Sequence, residues 1–471
     1  MKPDTVTALI LAAGAGTRMK SAKPKVVHEI LDTPLIQLVI GAAEKAGCKR
    51  ILTVVGYQEE QVRAVLPPEV ECVYQPDRRG TADAVAVTAD ALKDSTGYLL
   101  VMCGDMPLLR PATLRQLVAV CSDRCMAVLT AQVENPSGYG RIVRDEAGAI
   151  AAIVEDKDAT ATELAINEVN TGIYCFALDG LFDRLAKIDN DNAQGEYYLT
   201  DMVKVCRSEG EPVMGLQLTE AEEAHGVNSR AQLAEAGQIL RDRINGKLMD
   251  SGVSIVAPEM TWISPDCTIE HDVDILPNTI LAKGAVVRSG SIIGPNSRIY
   301  GADIGANCRV EESVVHQSCM GDDCYIGPFS YIRPEVELGS GVRVGPSVEM
   351  KKSVIGDNSK IPHLSYIGDA TLGEGVNVGA GTITCNYDGV KKSRTVVEDG
   401  AFIGSDTMLV APVTIGKNSI TAAGSTIGQD VPDDSLALAR ARQVNKDGWV
   451  AQNRAKAKAD SDAETNDRRE G

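Results

Sequence analysis

This sequence predicts an α/β first half, one long helix and a parallel β-helix, and three observations carry that prediction. From about Val253 to Gln429 an apolar residue returns at every sixth position, often with glycine directly after it. Before Ser229, apolar runs of strand length alternate with stretches of helical periodicity. Between the two lies RAQLAEAGQILRDRINGKLMD, which spaces Leu233, Ile239, Leu240, Ile244 and Leu248 as on one amphipathic helix.

The six-residue rhythm runs through Ile326, Ile332, Leu338 and Val344, then Ile355, Ile361 and Ile367, then Leu372 and Val378, then Ile403, Leu409, Ile415 and, past Thr421, Ile427. Neither a helix nor an ordinary strand repeats in this way. In a parallel β-helix each hexad is a short strand plus a corner, with the apolar residue inward and a small residue at the turn; three hexads close a triangular coil. A β-sandwich would instead alternate at period two between turns spaced 8–12 residues apart. Coils of this kind bury a narrow aliphatic column, which agrees with only 4% Phe, Trp and Tyr. The rhythm breaks between Thr384 and Phe402 at CNYDGVKKSRTVVEDGA, and an insertion in a solenoid is expected as a loop on its binding face.

In the first half, Val6 to Ala12, Ile51 to Val55 and Tyr98 to Met102 read as strands, and Pro34 to Ala46 as a helix with proline at its start. At 471 residues the chain exceeds one ordinary core, so two domains are expected. It has no apolar run of membrane-spanning length and no secretory pattern at its start, so a cytoplasmic protein without membrane insertion is expected. Twelve cysteines, scattered without metal-ligand spacing, read as reduced, partly buried thiols. A net charge of −18 argues against nucleic acid and anionic membranes as partners. Against that background the local cations stand out: Arg18, Lys23 and Lys25; Lys351 and Lys352; Lys391, Lys392 and Arg394; Arg440 and Arg442. Taken singly each is a surface charge; gathered near the motifs below, they suit anionic small substrates. After Gln443 the chain turns polar and is expected to be disordered.

The first strand runs through Leu11-Ala12-Ala13 into Gly14-Ala15-Gly16-Thr17-Arg18, with Lys25 soon after. Glycines at the carboxyl end of a strand let backbone N–H groups approach a phosphate. The third glycine of a dinucleotide fingerprint is missing, as is the Lys-Ser/Thr of a P-loop. Arg18 and Lys25 offer charge for a triphosphate instead. Asp105 follows the strand that ends at Met102, and a carboxylate beside phosphates calls for a hard cation such as Mg²⁺. For an isolated Gly-Asp pair, a plain turn is the simpler reading. That reading weakens once Gln75, Gly80-Thr81, Gly138-Tyr139-Gly140, Glu155, Asn170-Thr171-Gly172 and Gly226-Val227-Asn228 are taken together.

On the β-helix, His363 follows Glu349-Met350-Lys351-Lys352 by about one coil, and Arg333 lies one coil further back. At a strand spacing of ~4.8 Å such residues could sit side by side. Acyl transfer to an amine needs a base and donors for the oxyanion, and an imidazole titrates near neutrality. A lone histidine is more often structural, so the surrounding cations decide the reading.

With LAAGAGTRM, PKVVHE, NPSGYGRIVR, IVEDKDA, NTGIY, NAQGEYYLTD and GVNSR, the first half resembles the sugar-1-phosphate nucleotidylyltransferases, and more narrowly the uridylyltransferases that use N-acetylglucosamine 1-phosphate. The resemblance implies a Rossmann-like fold, Mg²⁺ held by Asp105 and Asn228, and a UTP and sugar-phosphate site formed by Leu11, Ala12, Ala13, Gly14, Arg18, Lys25, Gln75, Gly80, Thr81, Gly140, Glu155, Asn170 and Asn228. Cys103 departs from the aromatic residue some members carry. The second half, through GPFSYIRP, VEMKKS, HLSYIGDA, NVGAGTITCNYDG, GSDTMLVAPV and AAGSTIG, resembles the acetyltransferase domain of the same bifunctional family. That implies a left-handed, trimeric β-helix with His363 as base. Arg333, Lys351, Tyr366 and Asn377 would bind glucosamine 1-phosphate, and Ala380, Asn386, Tyr387, Ser405, Ala423 and Arg440 acetyl-CoA. Pro346-Ser347 and Ile361-Pro362 depart from the residues expected beside this cluster.

The implied domains are a nucleotidyltransferase over 1–229, a helical arm over 230–250, an acetyltransferase β-helix over 251–443 and a tail over 444–471. The implied chemistry is acetyl transfer to glucosamine 1-phosphate, then uridylyl transfer to N-acetylglucosamine 1-phosphate, with the product feeding bacterial envelope polymers. Two alternatives stay open: nucleotidyl transfer alone with the β-helix as a scaffold, and a regulatory subunit without catalysis. His363 with Lys351 and Tyr366 speaks against the first, and Asp105, Lys25 and Asn228 against the second.

Overall fold

The computed structural model describes residues 5–121 and 124–470, with side chains as far as Ser461. The chain forms two compact units, Met1–Ser318 and Cys319–Gly471.

Unit one opens with β1 (Val6–Leu11), α1 (Leu35–Ala46), β2 (Arg50–Val55), β3 (Glu71–Tyr74), α2 (Thr81–Ala86), β4 (Tyr98–Cys103) and α3 (Pro111–Val120). There follow β5 (Met126–Gln132), the antiparallel pair β6 (Arg141–Arg144) and β7 (Ile150–Val154), β8 (Glu168–Ala177), α4 (Met202–Ser208) and β9 (Val213–Gln217). Across the sheet the order is β9-β5-β8-β4-β1-β2-β3, and β8 runs antiparallel to both of its neighbours. The strands read as unbroken apolar runs because both faces are covered. Ala8, Ile10, Ile51, Leu100 and Met102 join one core cluster, and Leu9, Leu52, Leu99 and Val101 the other. The predicted helix over 34–46 begins one residue later, with Pro34 as its N-cap, and ends at Gly47, whose φ of 101° suits a residue without Cβ.

The arm helix α5 (Arg230–Asp250) is capped by Ser229, whose side chain accepts from the Gln232 N–H. Its apolar face is used only in part. Leu233, Ile239 and Leu240 pack half-buried against Met19, Ile30, Leu35, Leu108, Val227 and Ala236. The buried anchor further along is polar: Asn245, 1% exposed, donates to the Pro258 and Thr261 carbonyls at 2.9 and 3.0 Å, tying the helix to the turn between the first two strands of the coils. Those coils run in parallel register from Ser254–Ile255 to Val314–His316.

One expectation about cysteine is corrected here. Cys125 and Cys206 form a disulfide, with Cα atoms 6.3 Å apart, so not every thiol is free. The pair is separated by 81 residues and meets only because α4 packs under the start of β5, which no local spacing could reveal.

Unit two is a left-handed parallel β-helix with three faces. The first carries Tyr325–Ile326, Arg343–Val344, Lys360–Ile361, Asn377–Val378, Phe402–Ile403 and Ile420–Thr421. The second carries Tyr331–Ile332, Glu349–Lys351, Tyr366–Gly368, Ile383–Cys385 and Met408–Val410, and the third Val336–Leu338, Ser353–Ile355, Ala370–Leu372, Thr395–Val397 and Val413–Ile415. The hexad residues point inward as the period requires: Ile326, Ile332, Val344, Ile361, Ile403 and Ile415 are all 0% exposed. Buried hydroxyls stitch successive coils. Ser353 Oγ accepts from the Ala370 N–H at 3.2 Å, and Ser359 Oγ from Val376 at 3.0 Å.

The tail differs from its expectation. Trp449–Glu470 is a helix, and every described side chain on it is exposed. Its polarity rules out packing, but Ala, Lys, Arg and Glu are good helix formers, so local propensity accounts for the turn structure that composition alone missed.

Candidate active sites

The two loops of the first site leave the sheet side by side. Leu11 at the end of β1 is in register with Cys103 at the end of β4, and the Gly104 N–H donates to the Leu11 carbonyl at 3.0 Å. Gly14 and Asp105 therefore emerge together at the carboxyl edge, where open α/β sheets bind ligands. A Cβ added at Gly14 would meet nothing within 4 Å, so the backbone there faces open space. Gly16 has another task. Its φ is +60° and a Cβ would lie 2.6 Å from Lys25 Cβ, so glycine is what lets the loop fold over Lys25.

Lys25 is ion-paired with Asp105, and its Nζ donates to Asn228 Oδ1 at 2.9 Å. Arg18 Nη2 donates to the same oxygen at 2.9 Å. The Val227 N–H donates to the Asp105 carbonyl at 2.9 Å, and Gln232 Oε1 accepts from the Asn228 N–H at 2.9 Å. Asn228 is thereby held from both sides. Gln232 was missed as a supporting residue, although Ser229 followed three places later by glutamine is a helix-start signal visible in the sequence.

These donors fit Mg²⁺. A carboxylate and an amide oxygen already converge on one cation, the Lys25 ammonium, and both are hard ligands. Among the described residues no three His, Cys, Asp or Glu side chains gather at a metal-sized site. Water and phosphate oxygens would have to complete the shell, as is usual for this ion.

Cys103 lies beside this cluster as a neutral thiol, pushed up to about 12 by burial and then by the Asp105 charge. Its Sγ sits 3.7 Å from the Gly172 carbonyl, and a Cβ on Gly172 would meet it at 3.3 Å, so it fills the gap next to that glycine. Gly140, Glu155 and Asn170 form a second wall. A Cβ on Gly140 would meet Asn170 Cβ and Glu155 Cδ, each at 3.6 Å, and the Asn170 N–H donates to the Gly140 carbonyl at 2.8 Å. Asn170 Nδ2 donates to the Tyr174 hydroxyl at 2.7 Å. Burial, above all, raises the Glu155 carboxyl above its usual range, partly offset by the Thr200 hydroxyl donating at 3.3 Å.

Gly80 and Thr81 are pinned by one segment: the Ala82 N–H donates to the Tyr197 carbonyl at 2.9 Å, and Thr81 Oγ1 accepts from Leu199 at 3.0 Å. Gln75 Nε2 donates to Asp83 Oδ2 at 2.7 Å. Tyr197 and Thr200 belong to NAQGEYYLTD, where the sequence marks a motif but no role for either, and Asp83 belongs to no motif at all.

On the β-helix, Tyr331, Glu349, Tyr366 and Ile383 stack in register on the second face. Arg333 Nη1 donates to Glu349 Oε1 at 2.8 Å. The Lys351 ammonium is lowered from its usual range by Lys392 first and by Arg333 as well. Three cations thus crowd together next to Tyr366, an arrangement suited to a phosphate. Lys392 comes from the insertion, which folds as a small hairpin with Tyr387 bridged to Lys392 and with Asn386 hydrogen-bonded to Asp369. It was noted only as part of a charge run.

His363 stands at the corner between the first and second faces, and hydrogen bonds carry that corner upward coil by coil. Gly381 donates to the His363 carbonyl at 3.4 Å, Asp406 to the Ala380 carbonyl at 2.6 Å, and Gly424 to the Ser405 carbonyl at 2.8 Å. His363, Ala380, Ser405 and Ala423 therefore occupy one column. Gly379 fits beneath Ser405, whose N would lie 2.4 Å from an added Cβ. Above it the Thr426 N–H reaches the Ala439 carbonyl at 3.2 Å, which brings Arg440 to the top of the column. Leu364 donates to the Pro346 carbonyl at 3.1 Å, so Pro346 supports the corner beneath His363. Pro362 lies so close above Gly345 that no side chain fits between them. Asn377 is not brought alongside Tyr366. It lies on the first face, in register with Lys360 and Phe402.

Comparison with known proteins agrees with both halves. Residues 7–223 match the nucleotidyl transferase family, and residues 320–352 and 394–429 match the bacterial transferase hexapeptide family. The chain is 47% identical over 445 residues to the bifunctional protein GlmU of a Geobacillus species, covering 94% of this chain and 97% of that one. It is 47% identical over 444 residues to the GlmU of Carboxydothermus hydrogenoformans, covering 94% and 99%. It is 48% identical over 442 residues to that of Syntrophomonas wolfei, covering 93% and 98%. With matches of that extent across both domains, the chain belongs to the bifunctional GlmU family.

Proposed function

We propose that the two domains catalyse successive steps of UDP-N-acetylglucosamine synthesis. In the first, the amine of glucosamine 1-phosphate attacks the thioester carbonyl of acetyl-CoA; the C–N bond forms, the C–S bond breaks and coenzyme A leaves as a thiol. His363 takes the amine proton. Arg333, Lys351 and Lys392 hold the sugar phosphate, with Tyr366 beside them, and acetyl-CoA runs up the column of Ala380, Ser405 and Ala423 towards Arg440, flanked by Asn386 and Tyr387. In the second step a phosphate oxygen of N-acetylglucosamine 1-phosphate attacks the α-phosphorus of UTP in line, and pyrophosphate leaves. Arg18 and Lys25 stabilise the charge on the phosphates. Gln75, Gly80 and Thr81 take the nucleotide, and Gly140, Glu155 and Asn170 the sugar. Mg²⁺ held by Asp105 and Asn228 would neutralise phosphate charge there.

The observation that carries this reading is the convergence of Lys25, Asp105, Asn228 and Arg18 at one sheet edge. The corner column at His363 favours acetyl transfer over a purely scaffolding β-helix. A homotrimer is supported by Asn377, which lies on a face whose exposed Phe402 and Ile420 would suit a neighbouring coil. In that arrangement one copy's Asn377 would serve another copy's acceptor site. Acetyl-CoA and UTP as substrates suit a cytoplasmic enzyme, and among the described residues no helix is long and apolar enough to cross a membrane. The test supplies acetyl-CoA, glucosamine 1-phosphate, UTP and Mg²⁺ and follows free thiol and pyrophosphate separately. Thiol release without UTP, and pyrophosphate release only once acetylation has occurred, is the expected pattern.

A further inference from the structure

Gln75 follows β3, two strands from the phosphate loop, and its N–H donates to the Val55 carbonyl at the end of β2 at 2.9 Å. At a strand spacing of ~4.8 Å it lies on the order of 10 Å from that loop along the sheet edge. Such a separation suits the base of a nucleotide whose phosphates rest on Gly14. The Gln75 side chain is nearly sealed, at 3% exposure. Its Nε2 donates to Asp83 Oδ2 at 2.7 Å and lies 3.4 Å from the Gly80 carbonyl. A carboxylate and a carbonyl only accept, so the amide end turned towards them is the NH₂, and Oε1 faces away. Among the described residues no donor reaches that Oε1, and it is not a sealed, unpartnered atom either. Asp83 is itself buried, at 7% exposure, and Arg79 Nη2 binds its other oxygen at 2.7 Å.

We propose that Asp83 is the positioning residue for base selection: it locks the Gln75 amide so that an oxygen, not an NH₂, meets the nucleobase. An acceptor at that point suits a pyrimidine with an N–H donor at N3 and opposes one with a lone pair there, so uracil is taken over cytosine. The inference rests on the reading of Gln75 as part of the UTP site. Asp83 also lies in the first turn of α2, where an acid helps any helix. That role would affect folding but would not distinguish one base from another.

The test compares kcat/KM for UTP and CTP in the wild type and in Asp83→Asn. An asparagine can either donate or accept, so the Gln75 amide is free to turn over. The UTP value should fall, mainly through KM, while the CTP value rises in absolute terms, shrinking the ratio by about tenfold or more. A gain with CTP is something that partial unfolding cannot produce. Arg79→Ala, which leaves the carboxylate on Gln75, should keep the ratio. A folded Asp83→Asn enzyme with the wild-type ratio would overturn the proposal. Should that variant not fold, the wild type decides alone: its kcat/KM should favour UTP over CTP by about tenfold or more, and equal use of the two nucleotides overturns the proposal. A wild type that releases no pyrophosphate from UTP would instead overturn the underlying assignment of the site.

Discussion

Lys25 and Asp105, 80 residues apart, are ion-paired at the carboxyl edge of the first sheet, and Asn228 accepts from the same ammonium. An acid, a base and an amide oxygen reach one point from three separate loops. Phosphates and a hard cation could share that point, because the protein supplies charge of both signs there.

Asp105→Ala should therefore abolish pyrophosphate release and leave thiol release intact. The ion pair is only partly exposed, so removing the carboxylate also leaves Lys25 without its partner, and some loss of stability is expected. Parallel assays on protein of checked fold separate the two effects. Loss of both activities in a folded variant would contradict the assignment of the two reactions to separate domains.

Assembly offers a second test. Phe402 and Ile420 are each 46% exposed and stacked in register above Asn377. The wild type should sediment at about three times the chain mass of 50.0 kDa. Phe402→Asp places a charge on that face and should lower both the oligomer mass and acetyl transfer while sparing uridylyl transfer. A fully acetylating monomer would exclude a site shared between copies.

The raised carboxyl of Glu155 gives a prediction with a sign. Burial favours the protonated form in the folded state, so the unfolded chain releases this proton more readily. Folding is unaffected by the shift at pH values below the unfolded pKa, and loses stability as pH rises through it towards the folded value. Glu155→Gln should then gain on the wild type in urea midpoint on going from pH 4 to pH 8. A difference that stays constant with pH would show that ionisation there is not disfavoured by the fold.

The β-helix was legible because its repeat is local: each hexad names its own inward residue, and Ile332, Val344 and Ile361 are buried as the rhythm requires. The strand ends of the first sheet were legible to within one residue for a similar reason: the apolar runs place them at Ala12 and Met102, and the strands end at Leu11 and Cys103. What the sequence hid are relationships across distance. Gln75 with Asp83 is near in sequence, yet nothing in QPDRRGTAD says that the carboxylate turns back into the core to hold the amide. Cys125 with Cys206, and Asn245 with the Thr261 carbonyl, depend on how helices pack. Lys392 looked like one charge among several until the insertion folded back as a hairpin towards Lys351. The tail was misread because a chain that cannot bury itself can still be helical.

His363 is where the structural and catalytic readings differ most in consequence. Its carbonyl serves the fold, accepting from Gly381 at 3.4 Å and from Ser365 Oγ at 2.7 Å, while its residue is exposed at the corner below Ala380 and Ser405. Replacing the side chain leaves those backbone bonds in place. His363→Ala should accordingly melt near the wild type and retain pyrophosphate release, yet lose acetyl transfer by ~10²–10⁴-fold, the range for removing a general base. A histidine that only packs would give the reverse pattern, a lowered melting temperature with acetylation per folded molecule little changed. Measuring melting and thiol release on one preparation distinguishes the two, and an unstable but chemically competent variant would remove His363 from the mechanism.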